Sequence, residues 1–289
     1  MTKFSRILGD RRIAFTIWLS IMSLSLLLAC CSCTQSPPTV STQTVSGSIS
    51  DIAGSSQCSS YDWKGRGKAP KGYFKGIATV FARAVCDSSR SDVVIVSAAR
   101  TDNDLRDALS WYNSNFAALG MKNDVSGVDT LRHAYTLLIG LGLRESSGNY
   151  CCGRDMSAGF SEAISAEAGT FQASLGASRA SPELGKLFDK YKTSDAGCLL
   201  DTFKEGASCS AGDAKNWGTG DGMLWQKRTK ECPAFGAEYA AVLLRVLGGT
   251  KGEFGPLRRK EAEIRPECDD MLKQVQKLVE QNPDLCKNL

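Results

Sequence analysis

The chain has 289 residues, 35 Lys+Arg against 31 Asp+Glu, 12 cysteines and a single histidine, His133. A charge this close to balance excludes a strongly polyanion-binding protein, so nucleic acid is not expected as a partner. One histidine, with no Cys-x-x-Cys pair after residue 57, leaves none of the common zinc spacings. Neither a metal nor another cofactor is expected.

At the N-terminus Lys3, Arg6, Arg11 and Arg12 precede an apolar run over 13–29, interrupted only by Thr16, Ser20, Ser23 and Ser25. This is the basic-then-apolar order of an export signal, and it is short beside the roughly 20 apolar residues of a membrane-spanning helix. The run ends in Leu27-Leu28-Ala29-Cys30, which resembles a bacterial lipobox. The resemblance implies that residues 1–29 are removed as a lipoprotein signal peptide and that Cys30 carries the lipid anchor. With Cys31 and not Asp in the next place, it points to the outer membrane, facing the periplasm. Twin-arginine export fits the residues around Arg11 and Arg12 poorly. Losing 1–29 takes away four basic side chains and one acidic one, leaving 31 against 30.

Residues 34–56 are rich in Ser, Thr, Pro and Gln and nearly uncharged, so residues 30–56 read as a flexible tether. Residues 57–289 make about one domain, without an internal repeat. It holds nine cysteines, Cys58, Cys86, Cys151, Cys152, Cys198, Cys209, Cys232, Cys268 and Cys286. In an exported domain they imply disulfides, and an odd number leaves at least one outside any pair within the domain. The connectivity stays open.

Within that domain, helical periodicity covers residues 73–86, 103–119, 128–144, 182–192, 234–247 and 264–280. In the last, Ile264, Cys268, Met271, Leu272, Val275, Leu278 and Val279 make one apolar stripe, with Pro266 in the first turn. Residues 93–97 are the only β-type run and serve equally well as the start of a buried helix. The Gly-rich stretches 147–159 and 206–222 read as long loops, a length that usually carries function. The fold class is mainly α.

Residues 140–148 read Gly-Leu-Gly-Leu-Arg-Glu-Ser-Ser-Gly, and residues 166–172 read Ala-Glu-Ala-Gly-Thr-Phe-Gln. Leu131, Ala134, Tyr135, Leu138, Leu141 and Gly142 place Glu145 at the end of an apolar helix face. A carboxyl leaving such a face is partly desolvated, which favours its neutral form. That is the state in which a glycosidase acid gives its proton to a leaving sugar oxygen.

The pair of segments resembles goose-type lysozymes and soluble lytic transglycosylases, over residues 128–175 and more weakly over 232–280. The resemblance implies a lysozyme-like helical fold that cleaves the β-1,4 bond between N-acetylmuramic acid and N-acetylglucosamine in peptidoglycan glycan strands. Glu145 would be the general acid and base. Ser146, Gln172 and Phe171 would line the sugar groove, Phe171 as an apolar platform, and Tyr239 would bond near Glu145. Where the goose-type enzymes carry a water-positioning Asp two residues after the Gln, this chain has Ser174. Asp155 is then the nearest substitute in sequence. Hydrolysis with inversion needs a second carboxylate about 6.5–9.5 Å away, whereas a transglycosylase uses a hydroxyl of the substrate and one Glu. The missing Asp favours the transglycosylase. A hydrolytic lysozyme, or a non-catalytic envelope lipoprotein that binds glycan or a partner, are the alternatives. Trp217 and Trp225 are candidates for sugar stacking, and Arg154 for a muramyl carboxylate. A disulfide from Cys151 or Cys152 would pin the loop after Glu145. A Cys nucleophile with His133 is a distant rival.

Overall fold

The computed structural model describes residues 45–154 and 162–289. The signal segment, Cys30 and Asp155 lie outside them. Among the described residues the chain is mainly helical, with no strand beyond two isolated antiparallel bridges, Trp63–Gly67 and Ala168–Ala173. No described helix is long and apolar enough to cross a membrane.

The first helix, α1 (Val45–Ser55), falls inside the stretch expected to be a tether. Its Ile49 and Ala53, one turn apart, are fully buried. α2 (Gln57–Ser60) follows, and α3 (Lys71–Cys86) takes α1 against its side. The folded part therefore starts earlier than residue 57. Two apolar residues at helical spacing were enough to bury a segment whose composition is otherwise that of a linker.

Residues 93–97 are helical, within α4 (Ser91–Ser97), with Val93 and Val96 buried on one face. The open carbonyls at the end of α4 are met by one buried arginine. Arg245 Nη1 donates to Val96 and Ala98, each at 2.7 Å, and Nη2 to Ala99 at 2.9 Å. The same guanidinium pairs with Asp107 at 3.0 Å. Asp107 in turn accepts from the Leu109 amide at 3.0 Å and caps α5 (Ala108–Trp111). α6 (Asn113–Ala118) follows. The single helix expected over 103–119 thus starts only at 108, because Asp107 is held extended by its arginine, and it is interrupted at Tyr112.

α7 (Val128–Ser146) is the axis of the fold: every residue from 130 to 143 is buried. The remaining helices are α8 (Pro182–Tyr191), α9 (Leu200–Lys204), α10 (Gly220–Glu231), α11 (Pro233–Leu247), α12 (Gly255–Arg258) and α13 (Pro266–Gln281). α3, α4, α11 and α13 pack around α7. Pro233 and Pro266 each open their helix, where a missing amide hydrogen costs nothing. α13 buries Cys268, Met271, Leu272, Val275 and Val279, as its stripe requires, while Ile264 precedes the helix. Several charged groups inside this core are paired. Arg132 on α7, for example, reaches Asp269 at 2.8 Å and Gln276 at 2.7 Å.

Among the described residues there are four disulfides: Cys58–Cys268, Cys86–Cys286, Cys151–Cys209 and Cys198–Cys232. Cys152 is outside any disulfide among the described residues. The Cys151–Cys209 bond joins the loop after α7 to the Gly-rich loop before α10, next to the end of the central helix.

Candidate active site

α7 stops sharply at Ser146, one residue after Glu145. Ser147 and Gly148 are both left-handed, at φ 54° and 76°. The Ser147 amide donates to Leu143 at 3.0 Å and the Gly148 amide to Gly142 at 3.1 Å, closing the helix end. Gly142 has a second duty. A side chain there would strike the Tyr73 hydroxyl and meet the Phe171 ring at 3.0 Å. Tyr73 uses the space to donate to the Ile139 carbonyl at 2.8 Å.

The segment carrying Gln172 is a tight turn closed by the Ala168 amide on the Ala173 carbonyl, at 3.2 Å. Gln172 is left-handed, φ 46°, and donates from Nε2 to Gly169 at 2.9 Å. Neighbouring side chains therefore leave the turn in opposite directions. Gln172 lines a cleft together with Glu145. Phe171 is 2% exposed and packs under α7, so it supports the cleft and offers no sugar platform.

The cleft has a volume of about 490 Å³. Glu145 and Gln172 share its lining with Glu167, Glu253 and Glu261 and with Arg66, Arg144, Arg258 and Arg259. A larger surface hollow of about 630 Å³, beside Arg83, Asp195 and Glu231, contains none of the expected residues. Among the described residues no group of His, Cys, Asp and Glu is arranged to hold a metal ion.

Burial raises the pKa of Glu145 to about 8, and the charge of Glu167 pushes in the same direction. Arg66, Arg259 and Arg258 oppose them without prevailing. At neutral pH the Glu145 carboxyl holds its proton. Arg66 stands on the turn bridged by Trp63 and Gly67 and donates to the Arg144 carbonyl, while Arg144 reaches back to Lys64 at 3.1 Å. On the facing segment Arg259 makes two bonds to Glu261, at 2.8 and 2.9 Å. Arg259 thereby holds the Glu261 carboxyl below its ordinary range.

Glu253 is fixed differently. Its Oε1 accepts the Ser174 hydroxyl at 2.7 Å and the Ser174 amide at 3.2 Å. Its own amide donates to Leu247 at 2.8 Å, and Arg258 donates to its carbonyl at 2.8 Å.

Two expected lining residues stand elsewhere. Tyr239 is fully buried and donates to the Ser174 carbonyl at 3.2 Å, its ring 4.3 Å from that of Trp225. It backs the turn from behind and is not part of the cleft lining. Ser146 is buried and donates to the Gly142 carbonyl at 3.1 Å, a bond inside its own helix. Trp225 is likewise interior, donating to Ala173 at 3.1 Å. Trp217 is half-buried with the Arg154 guanidinium 4.4 Å over its ring. His133 bonds Asn123 at 2.8 Å, thirteen residues before the end of α7, or roughly 20 Å along the helix. The Cys152 thiol sits beyond that end, 3.9 Å from the Ser146 carbonyl, so no Cys–His couple forms.

No protein-family model, curated protein or solved structure significantly matches this chain.

The cleft itself must carry the reading. It holds one neutral, half-buried carboxyl among fixed charges, the arrangement in which a carboxylic acid donates a proton near neutral pH. Arg66, Glu253, Arg258, Arg259 and Glu261 were not singled out by their sequence context. The signal available was local: residues 253–261 crowd charged side chains around Gly255-Pro256 between two apolar helices.

Proposed function

We propose that this chain cleaves the β-1,4 bond between N-acetylmuramic acid and N-acetylglucosamine in peptidoglycan, with Glu145 as the general acid, in a lysozyme-like helical domain tethered to the outer membrane through Cys30. The observation that carries the reading is Glu145 at the end of a buried helix, in one cleft with Gln172, with its pKa raised to about 8. A carboxyl in that state can give its proton to the departing O4 of N-acetylglucosamine. Gln172 contributes a polar amide to the wall for N-acetyl or hydroxyl groups. Arg258 and Arg259 are exposed at the rim, and guanidinium groups suit the carboxylates that muramyl residues and their peptides bear.

The lytic transglycosylase route rested on the lack of a second carboxylate. Glu167 and Glu253 line the same cleft as Glu145, and further carboxylates there support the hydrolytic route over the transglycosylase one.

Digestion of purified peptidoglycan by the full chain, wild type and Glu145→Gln, tests the reading. Muropeptides released by the wild type and lost in the variant are the expected result. Equal release by both, or none from folded wild type, would remove Glu145 from the chemistry.

A further inference from the structure

We propose that Glu253, held by Ser174, is the base that activates the attacking water, so that the bond is hydrolysed with inversion at C1 of the muramyl unit. The inference rests on the glycosidase reading above and names the residue that decides its outcome.

Four carboxyl groups line the cleft, and their surroundings assign them different work. Glu145 is the proton donor. Glu167 is the neighbour whose charge most raises the Glu145 pKa, so it helps keep the donor protonated. Glu261 is engaged by both bonds from Arg259. Glu253 is built into the fold as an acceptor oriented by an uncharged partner. Ser174 places two donors on Oε1, at 2.7 and 3.2 Å. Ser174 itself is 7% exposed and is held through its carbonyl by Tyr239 at 3.2 Å. It follows directly on the bridged turn that carries Gln172, so the carboxylate is tied to the same wall of the cleft as the substrate-facing amide. With Oε1 saturated, the carboxylate keeps acceptor capacity on Oε2 for a hydrogen from water. Tyr239 and Ser174 act through Glu253 and are positioning residues.

The step balances as follows. Glu253 takes one proton from water while the water oxygen bonds to C1 from the face opposite the leaving group. The C1–O4 bond breaks, its electron pair goes to O4, and Glu145 supplies the proton to that oxygen. The products are an N-acetylglucosamine 4-hydroxyl and a muramyl reducing end, formed first as the α anomer. Glu253 then returns its proton to solvent and Glu145 takes one up.

The test is digestion of peptidoglycan in H₂¹⁸O by the full chain in detergent, wild type and Glu253→Gln, with mass spectrometry and early-time NMR of the products. One ¹⁸O at each new reducing end and an initial α anomer are expected from the wild type. Glu253→Gln is expected to fall by about 100-fold or more in kcat, and azide is expected to restore turnover as an α-glycosyl azide. Ser174→Ala keeps the base but loosens it. A drop of about 10-fold in kcat with little change in KM is expected there, the size of one lost hydrogen bond to a charged group. Anhydro-muramyl products 18 Da lighter, lost in Glu145→Gln but made at wild-type rate by Glu253→Gln, would overturn this inference and leave the glycosidase reading standing. A full loss in Glu167→Gln with Glu253→Gln unaffected would move the base to Glu167. No product from any folded sample would remove both readings together.

Discussion

Gly140 lies so close to the Glu263 carbonyl that a side chain at 140 would collide with that oxygen. The contact sets the chain leading into α13 directly on the central helix. Residues 253–263 carry the far wall of the cleft, so their register against Glu145 depends on this missing side chain. Gly140→Ala is expected to destabilise the protein by about 1–3 kcal/mol, the usual cost of overpacking. Gly185 on α8 has open space around it. Gly185→Ala is expected to stabilise by about 0.5–1 kcal/mol, through helix propensity alone. Urea denaturation of both variants compares them directly. Equal effects would mean that the backbone contact at 140 carries no weight.

The raised pKa of Glu145 makes stability depend on pH in a direction opposite to an ion-paired carboxylate. The folded protein holds this proton up to about pH 8, against an ordinary value of 4.5. Between those values the folded state binds more protons than the unfolded state, so stability contributed at low pH is lost as pH rises through about 8. Glu145→Gln removes that dependence. It is expected to melt at a higher temperature than wild type at pH 9, by on the order of 2–4 °C for each kcal/mol recovered. At pH 4 the advantage is expected to vanish. Activity would fall over the same alkaline limb, since the acid loses its proton there. Identical melting curves across this range would place the Glu145 carboxyl in solvent.

The helices that read clearly in the sequence, α3, α7, α11 and α13, are those whose burial follows their own periodicity. Glu145 was legible because it ends such an element, Gln172 through the resemblance carried by its own segment, and the two line one cleft. What was not legible depends on contacts distant in the chain. Phe171 and Gln172 are neighbours in a tight turn, and sequence does not tell which of them faces inward. Tyr239 finds the Ser174 carbonyl only once α11 has packed behind the turn. Glu253 is unremarkable until Ser174 is seen to hold it. α10 shows little apolar periodicity because Gln226, Arg228, Thr229 and Lys230 are buried with polar partners. Lys230, for one, donates to the Asp213 and Lys215 carbonyls.

The Cys151–Cys209 disulfide ties the loop after Glu145 to a loop 58 residues later, with a second cysteine, Cys152, beside it. Burial raises the Cys152 thiol to about 11. At neutral pH it is almost wholly protonated and a poor nucleophile for exchange, which preserves the pairing of its neighbour. A thiol-specific reagent at pH 7 is expected to label Cys152 slowly in the native protein and rapidly after denaturation. Fast native labelling would show an exposed thiolate. The Cys151→Ser/Cys209→Ser double variant is expected to lose about 2–4 kcal/mol. The matching change at Cys58 and Cys268, which close 210 residues, is expected to cost about 1 kcal/mol more by loop entropy.

The sharpest departure from the sequence reading is α1, and it bears on where an active fragment can begin. Ile49, Ile52 and Ala53 fall at helical spacing within Val-Ser-Gly-Ser-Ile-Ser-Asp-Ile-Ala-Gly-Ser, so an apolar face is present, diluted by serine and glycine. Ile49 and Ala53 are fully buried, and α1 rests on α3 and α13. Such a helix gains little from propensity, and its packing must hold it in place. Ile49→Ala is expected to cost about 2–5 kcal/mol, as a buried large-to-small change does. Asp51→Ala, on the exposed side of the same helix, is expected to change stability by less than about 0.5 kcal/mol. Removing residues 45–55 would bare the surface of α3 beneath them and lower the melting temperature by more than Ile49→Ala alone. If instead these residues behave as a tether, neither Ile49→Ala nor the deletion will move the melting temperature, and residues 57–289 will be as stable as the longer chain.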